Sequence, residues 1–256
     1  MSAAASVRVA DTPGLRELLG RADDALVLGH RLSEWTGYAP VLEEELALAN
    51  IALDLIGQAR ALYALASEIE AVGRTEDDYA FLRDSRDFRN LLLVEQPNGD
   101  FAATIVRQFL YAAFVDPWWR ETARNSSEPR IAAIAAKAEK ETAYHLRHAA
   151  EWLIRLGDGT DESHARAAAA LASLWPYAEE MFAPLDPALA GQWADPEAIR
   201  PIWQATVTDV LAQATLAPPA DGWQPHGGRD GRHSETFGHM IAEMQHLARS
   251  HPGATW

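Results

Sequence analysis

Residues 41–72, VLEEELALANIALDLIGQARALYALASEIEAV, decide the fold class. Leu42, Leu46, Ala49, Leu53 and Ile56 follow one another at spacings of four, three, four and three. A second stripe runs through Leu48, Ile51, Leu55, Ala59, Leu62, Leu65, Ile69 and Val72. Both patterns have the period of an α-helix, in which residues three and four apart share a face. Two apolar stripes predict a helix buried on more than one side, as in the middle of a bundle; a peripheral helix carries one. Gly73 is expected to end it, because glycine tolerates the left-handed backbone that closes a helix.

The neighbouring segments also read as helices. Residues 1–13 look like a loose tail, and a helix is predicted from Gly14 to about Glu34, broken by the turn at Gly37–Pro40. Thr75 caps the next helix, with Glu76, Asp77 and Asp78 in its first turn. Pro97-Asn98-Gly99 breaks the chain, and Asp100 caps a helix predicted to reach about Val115. Glu128 and Pro129 open a long helix over residues 130–156, stopped by Gly157-Asp158-Gly159. Thr160 caps another, with Ser163 at its third position, predicted to run to about Phe182. A further helix is predicted over residues 201–216. Residues 217–233, rich in Pro, Gly and Trp, read as an extended strap, and residues 234–249 as a last helix. The expectation is one all-α domain over residues 1–256, a helical bundle with extra helices and a C-terminal strap.

Composition narrows the function. Ala, Leu, Glu and Arg dominate, and 48% of the 256 residues are hydrophobic, enough for a sizeable core. There is no cysteine, which excludes disulfide and thiolate chemistry. The net charge of −15 repels phosphate backbones, so nucleic acid is not an expected partner. Contact with any anionic ligand would need a local basic patch or a partner protein. No apolar run is long enough to span a bilayer, and residues 1–9 have no secretory pattern, so a cytoplasmic protein is expected, with no membrane partner.

A bundle core raises the question of a di-iron carboxylate site. Such a site takes one carboxylate from each of two helices and a Glu-x-x-His pair from each of two others, because residues three apart point at one metal. The whole sequence is read as containing no such pair. Glu141 and His145 share a face at a spacing of four, and His148 and Glu151 lie on the same helix. The simpler reading makes His145 and His148 partly buried, hydrogen-bonded histidines, and pairs Glu141 with a nearby Lys or Arg. Asp54, in an apolar helix, has to be paired or protonated. Glu34, beside Trp35, either ends its helix on the surface or points inward. Pro117-Trp118-Trp119 and Trp175-Pro176-Tyr177 read as core or interface anchors.

Four longer stretches carry a resemblance. LGHRLSEW (28–35), LANIALDLIGQAR (48–60), FRNLLLVEQPNGD (88–100) and EWLIRLGDGTDESH (151–164) resemble the C subunits of phenylacetyl-CoA epoxygenases, and AEMQH (242–246) fits them too. The resemblance implies a ferritin-like bundle, a distant relative of the di-iron A subunit with which it pairs. It implies a complex that converts the ring of phenylacetyl-CoA to an epoxide with oxygen and electrons from a reductase. Di-iron is then expected in the catalytic partner and no cofactor in this chain. Carried over by the resemblance, the first carboxylate position falls on Glu34 and the second-helix pair on Leu55 and Gln58. The third carboxylate falls on or beside Asp100, and the last pair on Thr142 and His145. Only Glu34, Asp100 and His145 keep a ligand-type side chain, so these six are expected to be degenerate metal positions, with no metal-binding and no catalytic residue in this chain. Asp54 and Glu141, one residue off and so turned by about 100°, are expected to miss the site. Three readings stay open: a non-catalytic structural subunit, a di-iron oxidase with an unusual ligand set, and a helical binding module unrelated to oxygen chemistry.

Overall fold

The computed structural model describes residues 6–220 and 222–254. Among them are nine α-helices and no β-strand: α1 (Pro13–Ser33), α2 (Leu42–Glu70), α3 (Glu76–Phe81), α4 (Leu92–Glu95), α5 (Phe101–Asn125), α6 (Pro129–Gly157), α7 (Asp161–Leu174), α8 (Pro196–Gln213) and α9 (Glu235–Ser250). An isolated bridge between Ala190 and Trp193 is the one β-type pairing among these residues.

Four long helices make the bundle, and cross-contacts fix their directions. Asp23 of α1 meets Tyr63 of α2, whereas Gly29 meets Leu55, so the two run antiparallel. Asp116 of α5 meets Thr142 of α6, whereas Phe101 meets Trp152, so this pair is antiparallel as well. Arg21 of α1 lies over Trp118 of α5, and Trp35, just past α1, lies against Phe101. Helices α1 and α6 therefore point one way, and α2 and α5 the other. That up-down-down-up order needs one long crossover, here residues 71–100, and is the ferritin-like arrangement.

The crossover is held by buried charge. Arg83, fully buried, donates to both carboxylate oxygens of Asp23 and to the carbonyls of Tyr79 (2.6 Å) and Asp87 (3.1 Å). Asp23 also accepts from the Arg89 amide at 2.7 Å. Every oxygen and guanidinium nitrogen in this cluster has a partner, which is what permits charge in a core. Asp24 next to it accepts from the Leu91 amide and from Arg229 of the strap. Glu180 accepts from the amides of Leu92, Gly227 and Gly228, and Glu95 from the Ser234 amide and the Asn90 side chain. Gly228 has no alternative, since a Cβ there would stand 2.1 Å from the Asn90 carbonyl oxygen. The strap therefore lies where expected, with one 3-10 turn at Gly228–Asp230; Asp221 is outside the described residues.

Several sequence expectations change. Residues 1–5 lie outside the described residues, but 6–12 are fastened: the Val7 amide bonds Leu82, and the Ala10 amide bonds Glu70. Helix α2 closes on Ala71 at φ +55°, two residues before Gly73. Helix α5 runs through Pro117 to Asn125, ten residues beyond Val115. The lost backbone bond costs about 3 kcal/mol. Burial of Trp118 and Trp119, and the bond from Trp118 Nε1 to the Ala194 carbonyl (3.0 Å), offset it. Helix α7 stops at Leu174, and 3-10 turns continue to Phe182, because Pro176 has no amide hydrogen to extend the helix. Helix α8 starts at Pro196 instead of Pro201, capped by Asp195.

The largest change concerns the opening stretch. Leu48, Ile51, Leu55, Ala59, Leu62 and Leu65 are buried as expected, although Ile69 and Val72 at the helix end are exposed. The leucines of the other stripe are not covered within this chain, Leu42 being 67% exposed, Leu46 57% and Leu53 66%, whereas Ala49 is half-buried and Ile56 packs against Gly29 of α1. Helix α2 is amphipathic toward the bundle and apolar again on its outer face.

Candidate functional site

Four of the six carried-over positions come together where α2 crosses α6. Leu55 and Thr142 are buried in the interior, and Gln58 and His145 flank them. Thr142 Oγ1 donates to the Ala138 carbonyl at 3.0 Å, the back-bond that a helical threonine makes to its own preceding turn. Gln58 Nε2 donates to Glu141 at 2.9 Å, and Lys137 Nζ lies 3.5 Å from the same carboxylate. His145, 1% exposed, places Nε2 3.1 Å from Asp54. One helical turn on, His148 Nε2 is 2.8 Å from Glu44. Both histidines are thus hydrogen-bonded and mostly buried, and Glu141 has its lysine. Asp54, 37% exposed at its side chain, is paired, as the sequence demanded.

Asp54 and Glu141 sit in the seam between α2 and α6. Each reaches a carried-over position on the opposite helix, Asp54 to His145 and Glu141 to Gln58. A turn of about 100° moves a side chain out of the centre, but between packed helices it leaves it in the seam, where the neighbour's side chains also arrive.

Glu34 and Asp100 lie elsewhere. Glu34 pairs with Arg31 at 3.0 Å and accepts from Asn98 at 2.9 Å, at the end of α1, with its side chain 39% exposed. Asp100 caps α5 by accepting from the Ala103 amide at 2.9 Å, and Arg166 stands 3.5 Å away. The residue after Asp100, Phe101, packs on Trp152, seven positions beyond His145. At 1.5 Å per residue that is about 10 Å along the axis. These two carboxylates therefore belong to the rim of the bundle.

The α5 carboxylate level with the seam is Asp116, which sequence reading missed. It is 3% exposed, 3.5 Å from Thr142 Oγ1 and 2.6 Å from Arg120. Burial raises its carboxyl above the usual range, and the Arg120 guanidinium opposes that shift. Extending the helix past Pro117 would have placed it on the inward face. Sequence reading also passes over one Glu-x-x-His, Glu243 and His246, so the motif does occur in the chain. Both side chains are exposed on α9, outside the four long helices.

Chemically, the seam is a poor di-iron site. Two cations need several carboxylates that bridge them, and here Leu55 has no donor atom, Gln58 is a neutral amide and the Thr142 hydroxyl is spent on a carbonyl. The acids nearby are held by Lys137, His145 and Arg120. No group of three or more His, Asp or Glu side chains suited to a metal occurs among the described residues. The donor set does not fit two irons.

A cleft of about 390 Å³ beside the strap contains Arg16, Arg21 and Arg229. Each is already paired, to Asp11, Glu17 and Asp24 respectively, which leaves that cleft without a spare guanidinium for a CoA phosphate. No helix among the described residues is long and apolar enough to cross a membrane.

Comparison with known proteins places this geometry. The model of the phenylacetic acid catabolic protein family matches residues 2–256. The C subunit of the 1,2-phenylacetyl-CoA epoxidase of Escherichia coli (strain K12) is 47% identical over 241 residues, 91% of this chain and 95% of that protein. A match over nearly the whole of both chains, on a ferritin-like bundle, leaves no segment for an unrelated fold: the chain belongs to the phenylacetic acid catabolic protein family.

Proposed function

We propose that this chain is a non-catalytic structural subunit of a phenylacetyl-CoA epoxidase complex, and that it pairs with and stabilises the di-iron catalytic subunit. The observation that carries this reading is the donor set of the α2–α6 seam. Leu55, Gln58 and Thr142 stand where a di-iron bundle needs carboxylates and a histidine, and His145 is committed to Asp54. Neutral groups in these places keep the core stable without metal, where unmetallated carboxylates would be costly. The 47% identical relative bears the name of an epoxidase's C subunit, which supports a role inside a multi-subunit oxygenase. A cytoplasmic setting accompanies this role, since acyl-CoA esters and reductase-borne electrons are found there.

The test has two arms. Anaerobic iron loading of the isolated chain followed by elemental analysis should show trace metal only. Two tightly held irons per chain would instead favour a di-iron oxidase with an unusual ligand set. In the second arm, the catalytic A-type subunit of the same host is expressed with and without this chain. The A-type subunit should be less soluble and less active alone, because a partner that binds only the folded state stabilises it. Equal solubility and activity alone would refute the structural role.

A further inference from the structure

The outer face of α2 is built as a helix-packing seam that this chain leaves open. Leu42, Leu46, Ala49, Leu53 and Ile56 step by four, three, four and three, the heptad register in which one helix lays a row of side chains into the holes of another. Its three leucines are 67%, 57% and 66% exposed. Tyr38 and Val41, in the segment leading into α2, are also exposed, 79% and 49%. A single exposed leucine needs no explanation, but a contiguous register does. Ile56 ends the row against Gly29 of α1, so the open part runs from position 42 to 53 and is about 17 Å long, three turns of helix.

We infer that this seam docks an amphipathic α-helix of the catalytic A-type subunit, one whose apolar stripe is bordered by Lys or Arg. The inference rests on the pairing proposed above and names the surface that makes it. The heptad spacing specifies a helix as the occupant. Charge specifies its borders: Glu43 and Glu45 flank Leu42 and Leu46. A second copy of this chain would bring the same acidic borders and another −15 of net charge against them, so like charge works against self-pairing. Bundle stability does not need the seam, because Leu48, Ile51, Leu55 and Leu62 bury the opposite face of the same helix.

The experiment uses the full chain co-expressed with the A-type subunit of the same host, comparing the parent with the double variant Leu46→Glu, Leu53→Glu. Both side chains are exposed, so the variant alone should melt within a few degrees of the parent. Its affinity for the A-type subunit should fall at least about 100-fold, since truncated anchors at the centre of an interface commonly cost more than tenfold each. The absence of native cysteine allows a second readout. Asn50→Cys, labelled with a benzophenone maleimide, should cross-link to a helix of the A-type subunit. A variant that pairs as tightly as a parent that does pair overturns the docking surface while sparing the structural role. A parent that does not pair at all overturns both. A parent that sediments alone as a dimer, dissociated by the same double variant, makes a second copy the occupant and overturns the inference.

Discussion

Replacing His145 with alanine should destabilise the chain strongly while leaving the chemistry of the assembled complex intact. The ring is 1% exposed and lies between α2 and α6, with Nε2 on Asp54 at 3.1 Å. Losing that bond costs about 1 kcal/mol. Removing a ring from a packed interior leaves a cavity costing about 2–3 kcal/mol more, by analogy with large-to-small core changes. For a chain of this size each kcal/mol lowers the melting temperature by about 2–4 °C, so the expected drop is about 6–16 °C. Asp54→Ala removes the same bond from a side chain that is 37% exposed and should cost only about 1 kcal/mol. The double variant should be about 1 kcal/mol more stable than the sum predicts, because both single changes break one shared interaction. Calorimetry on the four proteins gives the cycle, and turnover of the reconstituted complex should stay within a few-fold of the parent. Unchanged melting of His145→Ala, together with loss of turnover by orders of magnitude in an intact complex, would show that the histidine acts on the chemistry.

Two further predictions address the seam. Leu55→Glu, Gln58→His and Thr142→Glu together restore two Glu-x-x-His pairs; without metal the variant should melt below the parent, since two carboxylates enter the interior and one faces Asp116, and added divalent metal should recover stability. Glu34 and Asp100 lie too far along the axis to complete the site, so Asp116 is the carboxylate that Asp116→Asn should show to be needed for that recovery; a metal response that survives this change would contradict the geometry. In the parent, burial raises the Asp116 carboxyl above its unfolded value. The native state therefore holds the proton more tightly, and stability from this group is present at low pH and lost as pH rises through the raised folded value. Asp116→Asn is neutral throughout, so its melting temperature relative to the parent should be more favourable at pH 7 than at pH 4; the opposite order would mean that the Arg120 pairing dominates.

What the sequence determined by itself is local. Thr75 and Thr160 cap helices through the boxes legible in their spacing, Asp100 caps α5, and Pro129 opens α6, because a cap needs only a side chain and amides two or three residues away. The same locality misled at Pro117, where a helix continues because Trp118 and Trp119 find a core contributed by residues such as Trp193. Period 3.6 reveals that a helix has an apolar face but not which neighbour covers it, so the two stripes of α2 looked alike in sequence. Only the packing of α1 and α6 buries Leu48 and Leu55 and leaves Leu46 and Leu53 outside. The seam was legible in part: the neutral residues at Leu55, Gln58 and Thr142 were visible in sequence. The pairs Asp54–His145 and Gln58–Glu141 join residues 91 and 83 positions apart, and the level of Asp116 beside Thr142 depends on how far α5 slides along α6. That axial register is set by the summed packing of whole helices, which no short stretch of sequence contains.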